Sequence, residues 1–221
     1  MLRESVELAL RELCEDVRIM AQMTEEAIER SITALKERDI ALAEEVIAND
    51  KLLNAKRFEI EEKCIKFIAT QQPMAGDLRL IIAILNIIVD LERIADHAEG
   101  IAKIVLMIAN EPHLKPLLDI PRMAQKAREM LRKSIRAFLD RDAEEARRIC
   151  REDDEVDQLY DQVFRELLIF MLEDPRTISR ATRLLWAAHN LERIADRVTN
   201  ICERIVFLAT GKMEEIGASK Y

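Results

Sequence analysis

Glycine and proline are scarce in this 221-residue chain, four and five in all, and neither occurs before Pro73. The first 70 residues therefore have room only for long helices joined by a tight turn. Aromatic residues make up 4% of the chain. Few turn formers, few aromatics and many Ala, Leu, Ile, Glu and Arg describe an all-α protein. A basic surface is also lacking: the formal net charge is -8 and the pI about 5.2. A chain that displaces counterions from nucleic acid needs the opposite sign, so no nucleic-acid partner is expected. The longest apolar run, Leu80–Val89, is closed off by Arg79 and Asp90, far short of the roughly 20 residues that span a bilayer. The N-terminus is amphipathic and acidic, unlike a signal peptide. A cytoplasmic location follows, with any membrane contact made by way of partners. Cys14, Cys64, Cys150 and Cys202 form no C-x-x-C pair and read as small core residues kept reduced.

The punctuation that is present falls at regular places. Asp39 is a candidate N-cap separating two helices, and the stretch QQPMAGD (Gln71–Asp77) breaks the second. A third helix is expected from about Asp77 to Asn110, followed by a loop with prolines at 112, 116 and 121. A fourth starts at Arg122. Asp142 and Glu145 then have capping-box spacing for a fifth, LEDPRT (Leu172–Thr177) ends it, and the sixth stops near Gly211. The two halves match. Glu37–Asp50 aligns with Asp140–Asp153 at a spacing of 103, and the hexamer LERIAD occurs at Leu91–Asp96 and again at Leu191–Asp196. The expected architecture is two pseudosymmetric three-helix bundles from an internal duplication. Residues 1–110 form the first repeat, 111–121 a linker, 122–211 the second repeat and 212–221 a tail.

Acids stand where the helices should be apolar. On the sixth helix the 3,4-spaced stripe Ala181, Leu185, Ala188, Glu192, Ala195, Thr199, Cys202, Val206 is apolar but for Glu192 and Thr199. On the third it reads Ile81, Leu85, Ile88, Glu92, Ala95, Glu99, Ala102. Asp96 and Asp196 follow one turn later, setting two carboxylates side by side in each copy. The preceding helices behave alike, with stripes Cys150, Asp153, Asp157, Phe164, Leu168, Met171 (and Asp161 beside them) and Ile47, Asp50, Asn54, Glu61, Cys64, Ile68. Like charges four residues apart repel, and an unpaired buried carboxylate costs several kcal/mol. Arg93 and Arg193 point about 100° away from the glutamates they follow. Multivalent cations meet the need directly, and all-oxygen ligation favours hard ions. The first half is the weaker site, because Asn54 aligns with Asp157 and Phe58 with Asp161. The competing reading is a network of surface ion pairs.

The doubled E-R-I-x-D helices, GDLRLII (Gly76–Ile82) opening the third helix and the D-x-x-x-D stripe on the fifth resemble the PhoU family over essentially the whole chain. The family pattern more often has Gly at Ala95 and Ala195. The resemblance implies metal ligands at Glu92, Asp96, Glu192, Asp196, Asp153 and Asp157, with Asp50, Asn54 and Asp161 as further members. It implies multinuclear metal clusters, iron first, with Mg, Mn or Zn as alternatives. It further implies a non-enzymatic negative regulator of phosphate uptake and phosphate-starvation signalling. The partners would be a phosphate ABC transporter ATPase and a sensor histidine kinase, with the chain itself a homodimer. A carboxylate-bridged di-iron enzyme is the main rival, but its E-x-x-H motif is missing at His97, His113 and His189. A two-metal hydrolase lacks a nucleophile or phosphate cradle. A metal-free helical scaffold is the plainest alternative. Trp186, the only tryptophan, is expected to fill a core or an interface between bundles.

Overall fold

Six long helices and one short 3-10 turn make up the described residues, 2–216, of the computed structural model, with no strand among them. They are α1 (Leu2–Glu37), α2 (Ile40–Gln71), α3 (Gly76–Ile108), α4 (Asp119–Asp140), α5 (Ala143–Glu173) and α6 (Ile178–Thr210). The expected caps operate. Asp39 accepts a hydrogen bond from the Leu42 amide, and Asp142 accepts from the amides of Glu144 and Glu145. The residue before each of these aspartates is an arginine with positive φ, Arg38 and Arg141, so both turns use the same left-handed step. Gly211, φ 74°, closes α6 in the conformation that glycine adopts without strain. One boundary differs. α4 begins at Asp119, not Arg122, so Pro121 lies inside its first turn, where no intrahelical amide is needed. Of the expected tail, residues 212–216 are described and the remainder lies outside the described residues.

α3 packs against α1 and α2, and α6 against α4 and α5, giving two three-helix bundles. The bundles join through α3 on α6 and α1 on α4. α3 touches three neighbours, which explains why its apolar positions run nearly all round: Ile81, Ile84, Ile87, Ile94 and Ile101 are all fully buried. Each such side chain contributes about 1.5–3 kcal/mol by leaving water. The crossing of α3 and α6 is polar at two related points. Asn200 donates to Asp90, while Asn190 bonds the His97 ring and fills the space beside Gly100. Arginines of one half also cap the other half's third helix: Arg183 donates to the Met107 carbonyl at 2.7 Å.

The α3 and α6 stripes are buried as expected, apart from the partly exposed Leu85, Leu185 and Glu99. Those of α2 and α5 are turned from the expected register. The buried positions are Ala43, Val46, Leu53, Ile60, Cys64 and Phe67 on α2, and Ala146, Ile149, Cys150, Val156, Val163 and Leu167 on α5, so that of the expected stripes only Cys64 and Cys150 are fully buried. Phe164, Leu168 and Ile68 are exposed instead. Asp50 and Asp153 nevertheless lie within the true seams, because each is four residues beyond Val46 or Ile149. All four cysteines are free, three of them buried and Cys14 partly so.

Candidate metal centre

Glu92 and Glu192 are the only two glutamates buried among the described residues, 9% and 7% exposed. Their helices leave them no choice: the flanking Leu91, Ile94, Ala95 and their counterparts are packed, and a rigid helix carries the glutamate in with them. Opposite Glu192, α5 brings Asp153 and Asp157; opposite Glu92, α2 brings Asp50 and Asn54. In the second half, burial first, and then the nearby Asp157, Asp196 and Glu192, push the Asp153 carboxyl up to about 7. Burial and Asp196 push Glu192 up to about 7 as well, against the pull of Arg193. In the first half burial, followed by Glu99, Asp96 and Glu92, raises Asp50. The sequence-nominated acids of each half therefore converge. Asp161 is the exception, standing exposed beyond Tyr160.

Basic groups reach part of this charge. Arg93 folds back to Asp96 at 3.0 Å and Arg193 pairs with Asp196, so the arginines of the hexamer serve the aspartate three residues on. They stand a 100° step from the glutamates and next to the aspartates, as i,i+3 neighbours do, although Arg93 Nε also reaches within 3.5 Å of Glu92 Oε2. His189 Nδ1 lies 3.3 Å from Glu192, but burial lowers its pKa and leaves it mainly neutral near pH 7. Arg57, 3.7 Å from both Glu92 and Glu61, was not foreseen. Aligning the repeats at 103 places it opposite Tyr160, and that substitution was the available signal. Glu99, on the α3 stripe and paired with Lys103 at 2.5 Å, also belongs to the first-half group.

Arg93 Nε stands 3.5 Å from Glu92 Oε2 and the His189 contact is to Glu192 Oε2, yet neither oxygen gains a hydrogen bond, and that deficit is repeated. Asp50 Oδ1, Glu92 Oε2, Asp153 Oδ1 and Glu192 Oε2 are buried without a hydrogen-bond partner. They are the same two positions in each half. The other buried side-chain atoms without partners, among the described residues, are arginine Nε atoms. Buried carboxylate oxygens without hydrogen bonds on facing helices fit a hard cation. In their present positions no three His, Cys, Asp or Glu side chains among the described residues are grouped as ligands of one ion. The described residues contain no helix long and apolar enough to cross a membrane.

Comparison with known proteins adds a family. Residues 17–105 and 120–205 each match the PhoU domain. The chain is 42% identical to the phosphate-specific transport system accessory protein PhoU homolog of Aquifex aeolicus, over 92% of both chains. It is 39% identical to the phosphate-specific transport system accessory protein PhoU of Escherichia coli, over 89% of this chain and 81% of that one. The crystal structure of PhoU from Pseudomonas aeruginosa superposes with a TM-score of 0.88 at 32% identity, covering 93% of this chain and 99% of that one. The phosphate transport system regulatory protein PhoU from Streptococcus pneumoniae gives 0.87 at 33%, covering 95% and 99%.

Proposed function

The chain belongs to the PhoU family, and from that premise we propose that it is a non-catalytic accessory and regulatory protein of a phosphate transport system, acting through bound cations and protein contacts. The names of its relatives support the transport role. In the full proposal it works at the cytoplasmic face as a homodimer. It restrains uptake when phosphate is plentiful, and it links the ATPase of a phosphate ABC transporter to a sensor histidine kinase. A strain lacking the chain should then express phosphate-starvation genes in rich phosphate. Unchanged transcription in that strain would refute the regulatory role.

The observation that carries the cation is the fourfold set of buried carboxylate oxygens without a hydrogen bond, two in each half at equivalent positions. Asp153, Asp157, Glu192 and Asp196 would hold it in the second half. In the first, Asp50, Asn54, Glu92 and Asp96 would do so, with Asp161 at most an outer contact. Iron, in a multinuclear cluster, is the first choice, and Mg, Mn or Zn the alternatives. The cation supplies positive charge, and the carboxylates so neutralised tie α5 to α6 and α2 to α3. Elemental analysis of protein purified without chelator tests this. A metal-free product whose melting temperature ignores added iron, manganese and magnesium would sink it.

A further inference from the structure

One turn before Glu192 on α6 stands His189, and the gap between them has the dimensions of a shared ion. The ring Nδ1 lies 3.3 Å from Glu192 Oε2. That oxygen belongs to a glutamate only 7% exposed, and it has no hydrogen-bond partner. A ring bonded to the carboxylate would aim an N–H at this oxygen from about 2.7–3.2 Å. The contact here is longer and is not so aligned. Two donors each about 2.1 Å from one ion stand about 3.0 Å apart at a right angle and about 3.4 Å apart at the tetrahedral angle. The separation of Nδ1 and Oε2 falls between these values, and residues three apart on a helix face the same way.

The ring is both held and reachable. Tyr160 of α5 packs against it, ring centroids 6.0 Å apart and tilted by 49°, bracing the imidazole as an oriented ligand requires. The His189 side chain is 54% exposed. Trp186, one turn earlier and expected to be packed, is 52% exposed instead, so an ion has a way in from solvent. The first half has neither part of this arrangement. With the LERIAD copies aligned, Val89 stands at the position of His189, and Arg57 stands at that of Tyr160. Valine carries no donor. The first half is left with the oxygens of Asp50, Asn54, Glu92 and Asp96.

We propose that His189 Nδ1 is a nitrogen ligand of the second-half cation, beside Glu192, and that it gives this half a different metal preference from the first. Imidazole suits zinc, iron and nickel, whereas carboxylate and carbonyl oxygens alone suit magnesium, calcium and manganese. The chain then holds two unlike sites: an imidazole-binding transition metal between α5 and α6, and a hard ion between α2 and α3. One imidazole, in the order H-x-x-E, is not the paired E-x-x-H of a di-iron enzyme, and no catalytic role is attached to it. The inference rests on the reading of the acids as cation sites and adds the donor that separates the two halves.

Zn²⁺ and Mg²⁺ are the probes, titrated calorimetrically into the full chain after chelator treatment, with Asp50→Asn and Glu92→Gln to silence the first half. His189→Gln should weaken Zn²⁺ binding at least about tenfold, the loss that even an outer-shell partner costs, and leave Mg²⁺ binding unchanged. His113→Gln, in the loop before α4, should change neither. X-ray absorption of the Zn²⁺-loaded protein should show the scattering of one imidazole, absent after His189→Gln. Zinc bound without imidazole scattering, or an equal loss for both ions, would make His189 a support for Glu192 and overturn the proposal. Scattering that survives His189→Gln would assign the ligand to His97 or His113 and overturn it too. Failure of both ions to bind refutes the cation reading itself, and this inference with it. Binding of both ions that is indifferent to His189 refutes this inference alone.

Discussion

Glu25 and Arg128 occupy the same position of the two repeats, 103 residues apart, and they pair with each other at 3.2 Å where α1 meets α4. Glu29 and Arg132 repeat the arrangement one turn on: Arg128 also pairs with Glu29 at 2.7 Å, and Arg132 pairs with Glu25. Residues that meet their own counterparts lie close to the pseudo-twofold axis. Identical halves would set like charges against each other there, so the two copies have diverged to opposite signs. Arg128→Glu should place three acids around a single arginine. Both Arg128 and Glu25 are largely shielded, so the expected loss is about 2 kcal/mol, against about 1 kcal/mol for Arg128→Gln. Urea denaturation of the two variants measures the difference. Equal losses would mean that charge is not what matters at the axis.

The acid cluster of the second half should make the metal-free protein sensitive to pH in an unusual direction. Asp153 and Glu192 both titrate near 7 in the folded chain, above their ordinary values near 4. Between those limits the folded state holds protons that the unfolded state has released. Stability is therefore fully present at the acid end and falls as pH rises through about 7. In chelator the melting temperature should be several degrees higher at pH 5.5 than at pH 8, taking roughly 2–4 °C per kcal/mol for a chain of this size. Asp153→Asn with Glu192→Gln should flatten that difference. A double variant that keeps the full dependence would place the titrating groups elsewhere.

The first half should bind a cation more weakly than the second, and Arg57 adds a reason to the replacement of an acid by Asn54. Its guanidinium stands 3.7 Å from Glu92, where the second half has Tyr160. Arg57→Gln should therefore strengthen first-half binding about tenfold by removing a resident positive charge. Titration calorimetry with Mn²⁺, in a background of Asp153→Asn and Glu192→Gln to silence the other half, isolates the effect. An unchanged or weaker affinity would show that Arg57 and the cation do not compete.

The residues that were legible in the sequence and those that were not differ in kind. Asp39 and Asp142 announce their caps by local spacing, and Glu92 and Glu192 announce burial because α3 and α6 have long, mostly apolar stripes around them. α2 and α5 pack fewer neighbours, so their stripes are thin and several registers fit; Phe164 and Leu168 then pass for core when they are surface. The pairs of Arg93 with Asp96 and Arg193 with Asp196 follow from the i,i+3 spacing itself. Arg57 and Glu99 belong to the site through contacts between helices. Only the comparison of one repeat with the other, Arg57 with Tyr160, could have drawn notice to the first of them.

Gly100 offers a test of the crossing between the halves. A Cβ there would lie 3.1 Å from Asn190 Oδ1, closer than ordinary contact. In a helix interior, glycine to alanine alone is worth about 1 kcal/mol in favour of alanine. Here the neighbour has little freedom to yield. Asn190 Oδ1 is held by His97 Nδ1 at 2.9 Å, and its Nδ2 donates to the Trp186 carbonyl at the same distance. Pushing Asn190 aside strands the His97 ring, which burial already holds below its usual pKa and which therefore relies on that bond as a neutral group. Gly100→Ala is thus expected to destabilise by about 1 kcal/mol net. Adding Asn190→Ala to it should cost less than Asn190→Ala costs in the native background, because the clash is gone and the helical gain remains. Thermal melts of the three variants decide it. A Gly100→Ala protein more stable than the parent would mean that the α3–α6 crossing opens to accommodate a methyl group, and that the two halves are less firmly fixed than Asn190 suggests.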